Sequence, residues 1–461
     1  MTGIDNGLVN VVYDNSLNGL CRGLMGQHQQ ISEVDTFIFT IQTTSTKTVQ
    51  LPLLATGTYN FWVDWGDGIK DYVKAYAQIY SGETVARTHT YPTALRNYTI
   101  KIKGTCKGWN YFNVSVAEQQ KVTSIKRFGC LELIDDVTNG SYFSNCYNLD
   151  LSNVDDTLKT SKITNMFQAF NNILNNDISF INNWDVSNVT NMGSMFYAGP
   201  RRLRKELGSW NVSNVTNMGS MFFQCTNFNS DISQWKVNSV TNMSQMFMLC
   251  TTFNQDISIW NVAAVTNMTE MFRIASLFNQ PIGSWNVGAV TSMNNMFQQC
   301  PAFDQNIGNW NVSNVTNFTS FMVDKTPATF STTNLDAIYN GWIANGVKPN
   351  ILISFGIAKY TAASTEGKAL LTRTNTSIFI NGAYTFSGPI IINTASAHSL
   401  VTGNKVFISG VGGTVEANGL WTVTYISSVQ LQLQGSTFVN TYTVGGELTT
   451  GWGWTITDGG I

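Results

Sequence analysis

Few residues in this chain have the types and spacing that chemistry needs. Asp231 and Asp256 stand 25 residues apart in the matched contexts NSDISQW and NQDISIW. Two carboxylates held about 5–9 Å apart are what glycoside hydrolysis requires. Pro281 and Asn306 take the same place in the next two copies, so a turn feature is the simpler reading. Asp155 and Asp156 are adjacent, but nothing around them predicts a cleft. Asp64 and Asp67 flank a glycine turn and offer oxygen ligands to a hard cation such as calcium; here too the turn alone suffices. The three histidines, His28, His89 and His398, leave little for acid–base or metal chemistry. His89 reads as a hydrogen-bonded core histidine and His398 as a brace before a turn. Seven cysteines without a CxxC support neither a disulfide framework nor a zinc site. No nucleophile elbow, HExxH, P-loop or dinucleotide fingerprint occurs. The expectation is a non-enzyme without a cofactor, with a glycan depolymerase as the enzymatic alternative.

Composition points the same way. The 461 residues are 43% apolar, enough for several cores, but only 12% charged, with a net charge of −2. A typical domain is about 25% charged. So balanced a chain does not suit a dedicated nucleic-acid or anionic-membrane binder. No run of 18 apolar residues marks a membrane span, and MTGIDNGLVNVVYDNSLNGL lacks the pattern of a secretion signal.

The elements that would carry any site are set by a repeat. Tryptophans fall at 184, 210, 235, 260, 285 and 310, in steps of 26 and then 25. The pair Met221-Phe222 recurs as Met246-Phe247, Met271-Phe272 and Met296-Phe297, each preceded three residues earlier by another methionine. A period in the twenties signals stacked turns, because one turn cannot bury its own apolar side. Trp184, Trp210, Trp235, Trp260, Trp285 and Trp310, with Met221, Met246, Met271 and Met296, are therefore expected in a structural core. A short strand is expected near FNQDISIW, with rungs about 4.8 Å apart, and a short helix or 3₁₀ turn over Met-x-x-Met-Phe. Asn191, Asn217, Asn242, Asn267 and Asn317 should satisfy backbone groups at turns. Cys225, Cys250 and Cys300 share one column and read as buried thiols; a Cys225–Cys250 bridge is the alternative.

The unit F-x-x-x-I-x-x-W-x-V-x-x-V-T-N-M-x-x-M-F, over residues 137–325, strongly resembles the BspA-type leucine-rich repeats. That resemblance implies a right-handed, leucine-rich-repeat-like solenoid of about eight turns and a surface-exposed adhesive role. Upstream, residues 35–104 alternate as strands. Val63, Asp64, Trp65, Gly66, Asp67 and Gly68, with His89, Thr90 and Tyr91, resemble a PKD-type, immunoglobulin-like sandwich. Residues 105–136 are expected to link the sandwich to the repeats and cap them. Residues 326–377 resemble the helical C-terminal cap of the same repeat family, which closes with Gly453-Trp454-Thr455-Ile456-Thr457-Asp458-Gly459-Gly460, within residues 451–461. Residues 378–450 interrupt that cap. Their segment 395–437, AHSLVTGNKVFISGVGG and onward, looks like a small β module common in phage tail and virion proteins.

The fold expected is thus mixed and mainly β: a sandwich, then a solenoid with a helical cap and an inserted small β domain. The function expected is that of a non-enzymatic phage virion protein, of the head-fibre, decoration or tail-fibre type, displaying the solenoid to a host surface glycan or protein. A bacterial cell-surface adhesin is the alternative. Residues 1–34 would anchor the chain to other virion proteins, in a homo-oligomer such as a trimer. Arg201, Arg202, Arg204 and Lys205 read as a solvated face or as a docking patch for an acidic partner.

Overall fold

The computed structural model describes residues 33–75, 88–135, 140–173, 179–199 and 207–461. Strands β1 (Thr36–Gln42), β2 (Thr48–Gln50), β3 (Leu53–Asp64), β4 (Lys70–Ala75), β5 (Thr88–Thr90), β6 (Asn97–Trp109), β7 (Val122–Arg127) and β8 (Leu131–Glu132) open the chain. The main sheet runs β4-β3-β6-β1-β7, with β8 alongside β6, and β2 pairs β5 separately. Alternation sends Phe37, Phe39, Phe61, Val63, Ile100 and Ile102 into the core. The WGDG and HTY stretches form one joint. His89 stacks on Trp65 at 4.7 Å, and the Tyr91 hydroxyl donates to the Trp65 carbonyl at 3.0 Å. The boundary expected at 104 falls inside β6. The sheet also takes β7 from the expected linker, because β1 would otherwise present an open edge on that side.

β7 leads directly into the repeats. Ser124 bridges Asp150 in parallel, and Glu132 of β8 bridges Lys159. From there one file of parallel bridges runs Asn165, Asn191, Asn217, Asn242, Asn267, Ser292, Asn317. The strand expected at FNQDISIW is absent: Phe253–Trp260 is irregular backbone and turn. Met-x-x-Met-Phe is not a helix either. Gln245 and Leu249 take φ of 57° and 65°, and the same two positions of other repeats do likewise. Such a residue costs about 1–2 kcal/mol. The return is a complete use of backbone donors. Met243, Gln245, Phe247 and Leu249 donate to Asn267, Thr269, Met271 and Arg273 of the next repeat at 2.8–3.0 Å. Met246, Met248 and Cys250 donate three residues back at 3.0–3.2 Å, and Ser244 donates to Asn242 Oδ1 at 3.0 Å. The core rings are spaced more widely than strand rungs. Trp210, Trp235 and Trp260 lie 6.4 Å apart, and Phe247, Phe272 and Phe297 5.7 Å apart, as offset aromatic stacking prefers.

Two positions in the stack carry substitutes for the usual partner. Thr190 donates its N–H and hydroxyl to the Thr164 carbonyl, at 2.8 and 3.2 Å. Thr164 gives the same two donors to the carboxylate of Asp135 instead, at 3.0 and 2.6 Å. At the far end Lys325 occupies the cysteine column. Its ammonium donates to Cys300 O at 2.7 Å and Phe303 O at 2.5 Å. Helix α1 (Val116–Gln119) lies before the stack, and α2 (Thr332–Gly341) and α3 (Thr365–Thr372) follow it. Trp342, just past α2, donates to Ile307 O at 2.9 Å, as a repeat tryptophan would. β9 (Leu352–Ser354) extends the bridge file from Phe318.

Six strands then leave the stack: β10 (Thr376–Tyr384), β11 (Ile391–Thr394), β12 (Lys405–Ser409), β13 (Gly419–Ser427), β14 (Gln430–Leu433) and β15 (Glu447–Gly451). They close as an antiparallel barrel, β10-β11-β14-β13-β12-β15, around a core of its own. Thr376 pairs with Gly451, so entry and exit lie side by side. β16 (Thr455–Thr457) returns to pair in parallel with β9.

Two outcomes follow for the stack. Trp260→Phe keeps the ring but strands the Ile232 carbonyl, which the indole N–H reaches at 3.1 Å; urea denaturation should show a loss of about 1–3 kcal/mol. Burial lowers the Lys325 ammonium to about 8 from 10.5. The unfolded chain keeps this proton up to 10.5 and the folded chain sheds it from about 8, so the contribution grows as pH rises through that window and is lost again as pH falls through 8. Denaturation of wild type and Lys325→Met across pH 8–10.5 should move the difference toward wild type by about 3 kcal/mol.

Candidate functional site

The repeat residues singled out by the sequence are buried. Trp184, Trp210, Trp235, Trp260, Trp285 and Trp310 are at most 4% exposed, and Met221, Met246, Met271 and Met296 are fully enclosed. The indole N–H groups of Trp210, Trp235, Trp285 and Trp310 donate to Ile181, Leu207, Ile257 and Ile282 carbonyls of the preceding repeats at 2.8–3.1 Å. Cys225, Cys250 and Cys300 are buried free thiols. Their sulfurs lie 2.9–3.0 Å from the carbonyls of Phe196, Phe222 and Ala275. Burial pushes the Cys225 and Cys300 thiols up to about 12 and raises Cys250 as well. These columns are taken up in the core.

The carboxylates are equally committed. Asp231 and Asp256 each accept the N–H two residues on, from Ser233 and Ser258, at 2.9 Å. Those bonds, backbone first at Asp231 and side chain first at Asp256, hold both below the ordinary carboxylate range. A hollow lined by Asn182, Gly208, Ser209, Asp231 and Gln234 contains only that one acid among the described residues. Asp64 accepts from Gly66 N and pairs with Lys70 at 3.1 Å. Asp67 accepts from Ile69 N and pairs with His89 at 2.8 Å. Both members of the calcium pair thus have protein partners. Among the described residues no cluster of three His, Cys, Asp or Glu side chains could hold a metal. Arg201, Arg202, Arg204 and Lys205, and the arm up to residue 32, lie outside the described residues.

What remains is the exterior of the stack. Along the bridge file, Asn217 Nδ2 donates to Asn191 Oδ1 and Asn242 Nδ2 to Asn217 Oδ1, both at 2.9 Å. Each Oδ1 also accepts an N–H two residues on, at 3.0 Å. Exposed Thr216, Thr241, Thr266, Thr291 and Thr316 donate their hydroxyls to the preceding threonine carbonyl at 3.1–3.2 Å. This face is regular, uncharged and tied along its length by its own bonds.

A second stripe is not regular. The position after each buried Phe of the Met-Phe pair holds Tyr197, Phe223, Met248, Arg273 and Gln298 in turn. Tyr197 and Phe223 stack at 4.3 Å with planes 1° apart. Further along, Glu270 accepts from Arg273 at 2.9 Å and from Gln245 at 2.5 Å. The stripe therefore grades from aromatic to ionic, with Met248 buried and Tyr197, Phe223, Arg273 and Gln298 half-buried. Sequence reasoning missed it, although its signal was present: one variable position in an otherwise fixed unit.

Similarity to known proteins rests on the repeats. Residues 139–251 and 224–335 match the family described as "Mycoplasma protein of unknown function, DUF285". The two matches overlap and span less than half of the chain. This agrees with a repeat of the BspA type. The N-terminal sheet, the barrel and the chain ends fall outside the match. No curated protein matches the chain.

Burial and raised pKa values make the thiols a reporter of the stack. Iodoacetamide at pH 8 should leave Cys225, Cys250 and Cys300 unmodified in the native protein and label them in denaturant, as read by peptide mass spectrometry.

Proposed function

We propose that this protein is a non-catalytic binding scaffold displayed at a biological surface, with its repeats forming a right-handed, leucine-rich-repeat-like solenoid. The observation that carries the reading is the division of labour in each repeat. Indole, thioether, thiol and asparagine groups are consumed inside or along the stack. The half-buried positions Tyr197, Phe223 and Arg273, with buried Met248 between them, differ from repeat to repeat.

In the setting we favour, the chain is a phage virion protein of the fibre or decoration type. Residues 1–34 dock on neighbouring virion proteins, and the solenoid meets a host-surface glycan or protein, in a homo-oligomer such as a trimer. Residues 395–437, within the barrel, support this setting through the resemblance of their sequence to virion β modules. Its paired ends at Thr376 and Gly451 suit a module set into a cap. A second setting, a bacterial cell surface, is favoured by the family match, whose description names mycoplasma proteins.

Gold-labelled electron microscopy of particles and of cells separates the settings: label on particles supports the first, and label confined to cells overturns it. Deleting residues 1–32 should release the protein from particles while its melting temperature holds. Replacing Tyr197 and Phe223 with serine should weaken attachment to the host about tenfold with the stack still folded; unchanged attachment would remove the stripe from the contact surface.

A further inference from the structure

The outer face of the N-terminal sheet bears side chains that no core uses. Strand pairing sets Tyr72, Trp62 and Lys103 in one row across β4, β3 and β6. Trp62 is 59% exposed and Tyr72 47%. Their rings lie 5.1 Å apart at 43°. The Tyr72 hydroxyl donates to Asn60 Oδ1, which fixes the tyrosine in place. Large apolar side chains grouped on an exposed face mark a contact site more often than chance exposure does.

Positive charge surrounds the pair. Lys70 and Lys74 precede and follow Tyr72 at alternate positions of β4, and Lys101 stands beside Lys103 in the same sense on β6. Asp64 engages Lys70 at 3.1 Å and Glu33 engages Lys101 at 2.7 Å. Lys103 has no ion pair among the described residues. Four lysines within one small face stand out in a chain with only 12% charged residues and a net charge of −2.

We propose that this face binds an acidic polysaccharide, a polymer of uronic-acid sugars. The C–H side of a pyranose ring is apolar and packs flat on an aromatic ring, gaining about 25 cal/mol for each Å² buried. The sugar carboxylate meets Lys103 beside Trp62, and neighbouring lysines hold the next units. Single-stranded nucleic acid also combines stacking with charge, but its binders thread successive bases along a positively charged groove. Here one aromatic pair sits on an open sheet. The inference does not rest on the display role proposed for the repeats, because the face lies on the sheet and can bind whatever the repeats do.

The test is affinity electrophoresis of the full chain through gels containing polygalacturonate, dextran or no polymer, with an oligothymidylate mobility shift run beside them. Retardation is expected in polygalacturonate alone. Trp62→Ala should weaken it about tenfold, and Lys103→Gln should weaken it at low salt and less at high salt. Both side chains project from the sheet, so thermal melts should match wild type; if Trp62→Ala alters the melt, Lys103→Gln and Tyr72→Ala decide. Wild-type migration of all three variants in polygalacturonate would overturn the proposal. So would equal retardation by dextran, or an oligonucleotide shift that Trp62→Ala abolishes.

Discussion

Every repeat in this protein depends on the backbone donors of its neighbours. The αL residues in each turn point alternate N–H groups along the axis of the stack, where only the carbonyls of the next repeat can accept them. A repeat alone would leave four such donors exposed and its tryptophan on the surface. The stack supplies the bond and the packing together, which is why the strained conformation persists through copy after copy. It also explains why a pattern that looks half strand and half helix is neither. The hydrogen bonds run between turns, as in a sheet, yet the chain folds back on itself every few residues, as in a 3₁₀ turn.

The same dependence dictates the ends. Where the usual partner of a column is replaced, another group must imitate it. Asp135 supplies oxygens where a threonine carbonyl would stand, and Lys325 supplies hydrogens where a cysteine thiol would stand. Trp342 continues the indole file, and Asp304 accepts from Ser331 N at 2.9 Å at the start of α2. The N-terminal sheet fuses to the stack through β7, so the two share one core from Phe37 to Trp454. The barrel alone keeps a separate core and interrupts the chain only between Thr376 and Gly451.

Low charge is a consequence of repetition. A charge placed in one column recurs about 6 Å away in the next repeat, and like charges at that distance repel along the whole file. Asparagine, threonine and serine avoid the penalty and still satisfy backbone groups. Where charges do enter, they are answered locally, as Glu270 is by Arg273, or the column is broken, as Pro281 breaks the one holding Asp231 and Asp256. The N-terminal sheet has no such constraint, and the lysines gather there.

Much of this was legible in the residues. The 25-residue period, the burial of tryptophan and methionine, the asparagine file and the detached segment near the C-terminus follow from spacing and side-chain type alone, because each column has one chemical demand. Backbone conformation inside the repeat was not legible. Gln245 and Leu249 carry no mark of positive φ, since the bonds that stabilise it come from residues 24 positions away. Nor did the sequence single out Trp62 and Tyr72 from other strand aromatics, or Asp135 and Lys325 from other surface charges. Their roles depend on which face of a sheet remains open and which residue each column meets next, and only the assembled chain decides that.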